Sequence, residues 1–321
     1  MEINKNNISL AIKSASFPVL AATLVHVVGD IKILDDLPKP KMAMLGDIQG
    51  YFTEQEKQLI ESIALPLLDK YFLDTGLKDF YIPSDDEMHK IMNYIVGAEV
   101  SEDYVPMMLD ELNLRPSKRI KNIVAPNKRE MKDFSALIIG AGMSGILMGI
   151  KLAEKGIPFK IYEKNSSVGG TWAENTYPGC RVDIANHFYS YSFEENHQWS
   201  QYFSQQPELK QYFQTCFDKY DLAGMTQFNT EVSAMTFDDS SNLWSIKSIN
   251  DGSEDSEEFN LVISCVGQLN QPKIPEINGL ESFRGNIFHS ARWPKDDQIT
   301  GKKVAVIGSG ASAFQIVPSI A

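Results

Sequence analysis

The 321-residue chain is 43% hydrophobic and 22% charged, the composition of a soluble globular protein with room for two or more domains and not of a disordered segment. A net charge of −12 argues against nucleic acid or an anionic membrane as the principal partner, since both reward clustered lysine and arginine. Cys180, Cys216 and Cys265 are odd in number, widely spaced and lack a C-x-x-C pair, so they signal neither a disulfide framework nor a metal site and point to a reducing, cytoplasmic setting.

The apolar run Phe17 to Val28 is roughly half the ~20 residues that span a bilayer and contains Pro18 and His26. Glu2 in the charged leader position and the lack of a small-residue cleavage site argue against a signal peptide. The run reads as a packed helix, with Pro18 in its first turn and Gly29 as its stop. Thr53-x-x-Glu56 is a capping box that predicts a helix toward Tyr71, followed by apolar Leu59, Ile60, Ile63 and Leu67. A second box, Ser84-x-x-Glu87, opens a helix with Met88, Ile91, Met92 and Ile95 at i, i+3, i+4 and i+7. At that spacing the methionines fit a helix core better than an adaptable binding surface. From Arg115 to Lys132 the chain is basic and carries Pro116 and Pro126, which reads as a linker. Residues 1–130 thus form a helical extension with no catalytic signal, and it is the place where a homodimer could form.

After it, ALIIGAGMSG (Ala136 to Gly145) is an apolar strand running into G-x-G-x-x-G. Gly140 permits the tight turn, Gly142 lets backbone approach a pyrophosphate, and Gly145 lets the following helix pack on the sheet. The pattern alone is weak, but Phe159 to Tyr162 supplies a second strand ending at Glu163, an acid suited to ribose hydroxyls at the expected distance of about 20 residues. The segment Gly169 to Phe193 is rich in glycine and aromatics without clean periodicity, as an active-site insertion would be. A neutral aromatic wall with one carboxylate, Asp183, suits a site that holds a planar ring and excludes water. Pro207 starts a predicted helix through Lys219. Alternation predicts strands at Phe228 to Val232 and Leu243 to Ile246 around a turn at Asp238 to Asn242, and Phe259 to Gly267 reads as one buried parallel strand. A connector with Pro272, Pro275 and Gly279 leads to a second glycine turn, VAVIGSGASA (Val304 to Ala313), with a strand at Val304 to Ile307 and a helix through Ile316.

Two patterns lie between the turns. One is Gly169-Gly170-x-Trp172, Tyr177-Pro178-Gly179 and Asp183. The other is Phe283-x-Gly285-x-x-x-His289-x-x-x-Trp293-Pro294. Together they resemble the Baeyer–Villiger monooxygenases, a class B flavoprotein family, over residues 131 to 321. Trp293 favours that branch over the simpler flavin-containing monooxygenases, which carry tyrosine or phenylalanine there, while Asn278 stands where the family usually has proline.

The resemblance implies an α/β fold with two Rossmann-like domains, FAD then NADP, behind the helical extension, whose position is similar to that in the long 4-hydroxyacetophenone monooxygenase type. The expected division is residues 1–130, an FAD domain at 131–270, a crossover at 271–300 and the start of an NADP domain at 301–321. The chain is expected to be the N-terminal part of a longer enzyme. Gly140, Gly142, Gly145, Glu163, Thr171, Trp172, Asp183, Tyr189 and Val232 would contact FAD. Arg181, Val182, Gly308, Ser309, Gly310, Ser312 and Ala313 would contact NADPH, and Asp183, Arg181, His289 and Trp293 would serve turnover. The implied reaction is insertion of one oxygen atom of O2 beside a ketone carbonyl through a C4a-peroxyflavin. N- or S-oxygenation and a non-catalytic FAD-binding fragment stay open as other readings.

Overall fold

The computed structural model describes residues 3–42, 47, 49–74, 80–112, 114, 133–196, 198–294 and 299–321. The chain divides into two compact units, Met1–Lys121 and Asn122–Ala321. The basic linker expected at Arg115 to Lys132 falls outside the described residues.

The first unit is helical: α1 (Lys5–Ser14), α2 (Phe17–Val28), α3 (Glu54–Asp69), α4 (Asp85–Val96) and α5 (Val105–Glu111). Pro18 stands in the first turn of α2, and Gly29 closes it in the left-handed conformation, φ 77°. Both capping boxes form. Glu56 accepts from the Thr53 amide at 2.7 Å, and Glu87 accepts from the Ser84 amide at 2.8 Å, so each satisfies a donor that the helix start leaves open. Ile60, Ala64 and Leu68 are the buried residues of α3, with Ile63 and Leu67 packed against the same core, and of the expected apolar residues Leu59 differs, at 46% exposed. Ile8, Leu24, Ile60 and Ile91 meet in one core, while Met88 and Met92 turn to a smaller cluster with Val105 and Leu109. The methionines are therefore packing side chains, as their spacing predicts. Among the described residues no helix is long and apolar enough to cross a membrane.

The second unit is α/β. Its chain order is β1 (Ala136–Ile139), α6 (Met143–Lys155), β2 (Phe159–Tyr162), α7 (Thr171–Glu174), α8 (Gln206–Lys219), β3 (Thr226–Gln227), β4 (Thr230–Asp238), β5 (Leu243–Asn250), β6 (Ser253–Phe259), β7 (Leu261–Ser264) and α9 (Ala311–Ile320). A parallel sheet runs β3-β2-β1-β7, with Ile138 level with Ile161 on one side and Ile263 on the other. Successive residues of β1 face opposite ways. Ala136 and Ile138 pack with Ile146, Ile150, Phe213 and Leu222 from the helical face, and Leu137 packs with Tyr162, Ile246 and Phe259 under a three-stranded antiparallel sheet, β4-β5-β6.

Three expected strands differ. The first begins at Thr230, not Phe228, because Asn229 takes φ 54° and breaks the extended run. The run Phe259 to Gly267 splits: Phe259 ends β6, and the Asn260 side chain accepts from the Ser135 amide at 2.8 Å before β7 starts. Val304 to Ile307 pairs with no described strand, and Val304 and Ile307 are 47% and 71% exposed, so extended chain there lacks the ladder that defines a strand.

Candidate functional site

The site grows from the turn between β1 and α6. Gly140 has φ 100° and donates to the Tyr162 carbonyl at 2.8 Å, which closes the turn against β2. Gly142 caps α6 in extended conformation and has no side chain to cover the first amides, so the positive end of the helix stays open. A Cβ on Gly145 would run into the Gly140 carbonyl. Gly169 and Gly170, at φ 117° and 51°, close over the same turn, and the Gly169 amide donates to the Ala141 carbonyl at 3.0 Å.

Glu163 is 3% exposed. One oxygen accepts from the Ala141 amide at 2.6 Å, and the other accepts from the Asn165 amide and side chain, both at 2.8 Å. A carboxylate offers about four acceptor positions, so one stays open for an incoming hydroxyl. The sequence names Glu163 as a ligand; the structure adds that it also holds the turn.

The aromatic segment packs alongside. Trp172 is buried and donates from Nε1 to the Tyr189 hydroxyl at 3.1 Å, and the Gln206 side chain donates to the Trp172 carbonyl. Tyr189 meets Phe213 edge-on, with ring centroids 6.4 Å apart. Thr171 is exposed at the start of α7. Val182 is buried with its amide on the Ser204 carbonyl at 3.1 Å, Arg181 is half-buried and Asp183 is exposed. Asn186, which sequence reasoning passes over, is fully buried and donates to the Gln201 carbonyl at 2.7 Å and Ser204 Oγ at 2.6 Å. It pins the 181–186 turn to the chain before α8. Burial pushes the Tyr177 hydroxyl up to about 12 and raises the Cys180 thiol, so neither ionises near neutrality. Val232 packs in the cluster of Leu137, Tyr162 and Ile246 beneath the antiparallel sheet, two residues after Thr230, whose amide donates to the Glu163 carbonyl at 2.9 Å.

The crossover reaches this segment through Glu174. Its carboxylate meets Lys164 at 3.1 Å, the Asn165 side-chain Nδ2 at 3.0 Å and Arg292 at 3.2 Å. Burial works against its charge, yet the hydrogen bonds from Asn165 and Lys164, with Arg292 adding to them, hold its pKa below the ordinary 4.5. A depressed carboxyl stabilises the fold above its ordinary value, and that contribution is lost as pH falls through the depressed one. Glu174→Gln should therefore cost about 1–2 kcal/mol at pH 7, and in denaturant melts the gap to the parent should close on acidification below pH 4.5. A gap constant down to pH 3 would overturn this.

His289 caps the short 3₁₀ turn Ser290–Arg292, accepting from the Ala291 amide at 3.1 Å. Trp293 is half-buried and packs edge-on to Phe288, centroids 5.0 Å apart. The second glycine turn has Gly308 at φ 123° and Gly310 as the cap of α9, with Ser309 exposed and Ser312 and Ala313 half-buried. Among the residues that hold α9 to the rest are Ile316, 3% exposed in the core behind the parallel sheet, and Gln315, which is bonded to Tyr177 and Arg181. The glycines of the first turn, Glu163, Trp172 and Tyr189 thus gather at one end of the parallel sheet.

A family model described as flavin-binding monooxygenase-like matches residues 135–321, starting one residue before β1. The chain belongs to that family. A Baeyer-Villiger monooxygenase of Pseudomonas aeruginosa is 42% identical over 196 residues, which is 61% of this chain and 37% of the relative. The uncharacterized monooxygenase y4iD of Sinorhizobium fredii is 32% identical over 319 residues, 99% of this chain and 47% of the relative, so its similarity includes the helical unit. Among solved structures, OTEMO in complex with FAD and NADP is 35% identical with a TM-score of 0.54, over 59% of this chain and 37% of that one. The chain therefore spans less than half the length of these flavin-binding monooxygenase-like relatives.

Proposed function

We propose that the protein is an FAD- and NADPH-dependent monooxygenase that inserts one oxygen atom of O2 beside a ketone carbonyl to give an ester or lactone. The observation that carries this reading is the turn at Gly140 to Gly145, which joins an open helix end to a buried carboxylate with one acceptor position to spare. That donor and acceptor set fits FAD: the amides of α6 take the pyrophosphate and Glu163 takes the ribose. Bound FAD supplies the activation of dioxygen. The chain's part is to hold, orient and dry the site. Trp172 and Tyr189 wall it against water, Thr171 would line the flavin at its exposed edge, and Tyr177, pushed up to about 12 by burial, keeps its proton.

Arg181 would supply a cation for the nicotinamide nucleotide or for negative charge arising nearby, and Asp183 a carboxylate near the flavin. Val182, Gly308, Ser309, Gly310, Ser312 and Ala313 would hold NADPH, with Val232 on the FAD side. His289 and Trp293 would act as shape-keeping parts of the crossover between a nucleotide domain at 131–270 and another from 301 on. The three cysteines fit a cytoplasmic enzyme, and exposed Leu10, Val19 and Leu59 offer the helical unit a surface for self-association, open to sedimentation analysis.

The deciding assay gives the FAD-loaded complete protein NADPH and O2 with an aryl or cyclic ketone, and separately with an amine and a sulfide. Ester or lactone formation is expected. Sulfoxide or N-oxide alone would replace the reading by heteroatom oxygenation, and no NADPH-dependent product with any substrate would leave a non-catalytic flavin-binding protein.

A further inference from the structure

The second glycine turn and the aromatic segment meet through one side chain. Gln315 Oε1 accepts from the Arg181 amide at 3.2 Å, and its Nε2 donates to the Arg181 carbonyl at 3.0 Å. The same Oε1 accepts from the Tyr177 hydroxyl at 3.0 Å. A primary amide that engages both polar groups of one residue copies a rung of a β-ladder, so it fixes the Arg181 main chain in rotation as well as in place.

The rest of the contact is equally close. A Cβ on Gly179 would run into Ser319 and the Gln315 carbonyl, so α9 lies directly on the chain before Arg181. On its other side the Arg181 strand pairs with Gln205 in an antiparallel bridge. Arg181 is therefore held between the chain that opens α8 and the helix that the second glycine turn opens. Gln315 stands five residues after Gly310, the cap of α9, about 7 Å along a rigid helix from the mouth of that turn. A ligand that fixes the mouth fixes Gln315.

We propose that Gln315 is a positioning residue that couples occupancy of the Gly308–Ala313 turn by a nicotinamide dinucleotide to the placement of Arg181. The inference rests on the reading of that turn as the NADPH site. Arg181 itself needs no contact with the phosphates for this coupling to operate. Its guanidinium is aimed by a main chain that α9 holds, and its Nε donates to the Gly179 carbonyl at 3.4 Å within the same clamped segment.

Hydrogen exchange of the FAD-loaded complete protein, with and without NADP⁺, tests it. In the parent, NADP⁺ should slow exchange at 308–313 and at 177–183 together. In Gln315→Ala, 308–313 should still respond, 177–183 should lose most of its response, and without nucleotide the Arg181 amide, which loses its acceptor, should exchange about tenfold faster or more, tenfold being the effect of one ordinary hydrogen bond. Should that variant lose flavin, Gln315→Glu keeps the shape and both accepted bonds but cannot donate to the Arg181 carbonyl as a carboxylate, and should show the same uncoupling. Tyr177→Phe, which removes one bond of the three, should show a weaker form. Equal NADP⁺ protection of 177–183 in parent and variants, with 308–313 responding in all, overturns the coupling and leaves the functional reading intact. No response at 308–313 in the parent removes the nucleotide site, and the coupling goes with it.

Discussion

Gly145→Ala should destabilise the α/β unit by about 3 kcal/mol or more and abolish flavin retention, although it adds one methyl group. The added carbon would run into the Gly140 carbonyl, a main-chain atom fixed by the turn, with Ile138 behind it. Neither can give way: the Gly140 amide is tied to the Tyr162 carbonyl at 2.8 Å, and Ile138 is fully buried in the sheet. Relief requires α6 to back away from β1, which disturbs the helix end proposed to take the pyrophosphate and the core of Ile146 and Ile150 behind it. The comparison is Gly156→Ala. Gly156 also ends in the same helix, at φ 66°, but a Cβ there meets nothing within 4 Å. It should cost only the left-handed strain, about 1 kcal/mol, and leave flavin binding as it was. Denaturant melts and flavin absorbance per chain report both quantities, and equal losses in the two variants would sink the packing account.

The legible parts of this chain are those governed by short-range rules. A strand, three glycines and an acid about 20 residues on constrain one another through local geometry, and the turn, α6 and Glu163 stand where that rule puts them. The two capping boxes close for the same reason, since donor and acceptor lie three residues apart. What sequence reading misses is held by distant partners. Gln315 clamps Arg181 across 134 residues, and nothing near Gln315 announces it. Asn186 looks like any polar loop residue until the chain at Gln201 to Ser204 folds over it. Strand β6, SEDSEEF, has little β-propensity of its own. It forms because β5 offers seven register partners and because Glu257 receives Lys160 at 2.6 Å and the Tyr162 hydroxyl at 2.7 Å from the parallel sheet. The segment Val304 to Ile307 shows the converse, a strong strand pattern with no described neighbour to pair with.

Glu163→Gln should be nearly as damaging as Glu163→Ala, and both should lose FAD. As a ribose ligand alone, Glu163 would tolerate glutamine well, because an amide oxygen accepts from a hydroxyl and its nitrogen can donate to one. The structure gives it a second task that glutamine cannot perform. Three N–H groups converge on its two oxygens: Ala141 at 2.6 Å on one, the Asn165 amide and side chain at 2.8 Å on the other. Glutamine turns one of those oxygens into an NH2 group. Whichever way the amide is turned, at least one main-chain donor, of Ala141 or of Asn165, then faces another donor in a site where Glu163 is 3% exposed. A buried donor left without an acceptor costs about 1–3 kcal/mol, and the repulsion moves the Gly140–Gly142 turn proposed to meet the pyrophosphate. Alanine removes all three bonds but leaves space in which water can replace some of them. We expect a loss of about 2–4 kcal/mol for either variant and little FAD surviving gel filtration. Glu163→Gln with parental stability and full flavin content would mean that the carboxylate serves only the ribose, and that the turn holds its shape without it.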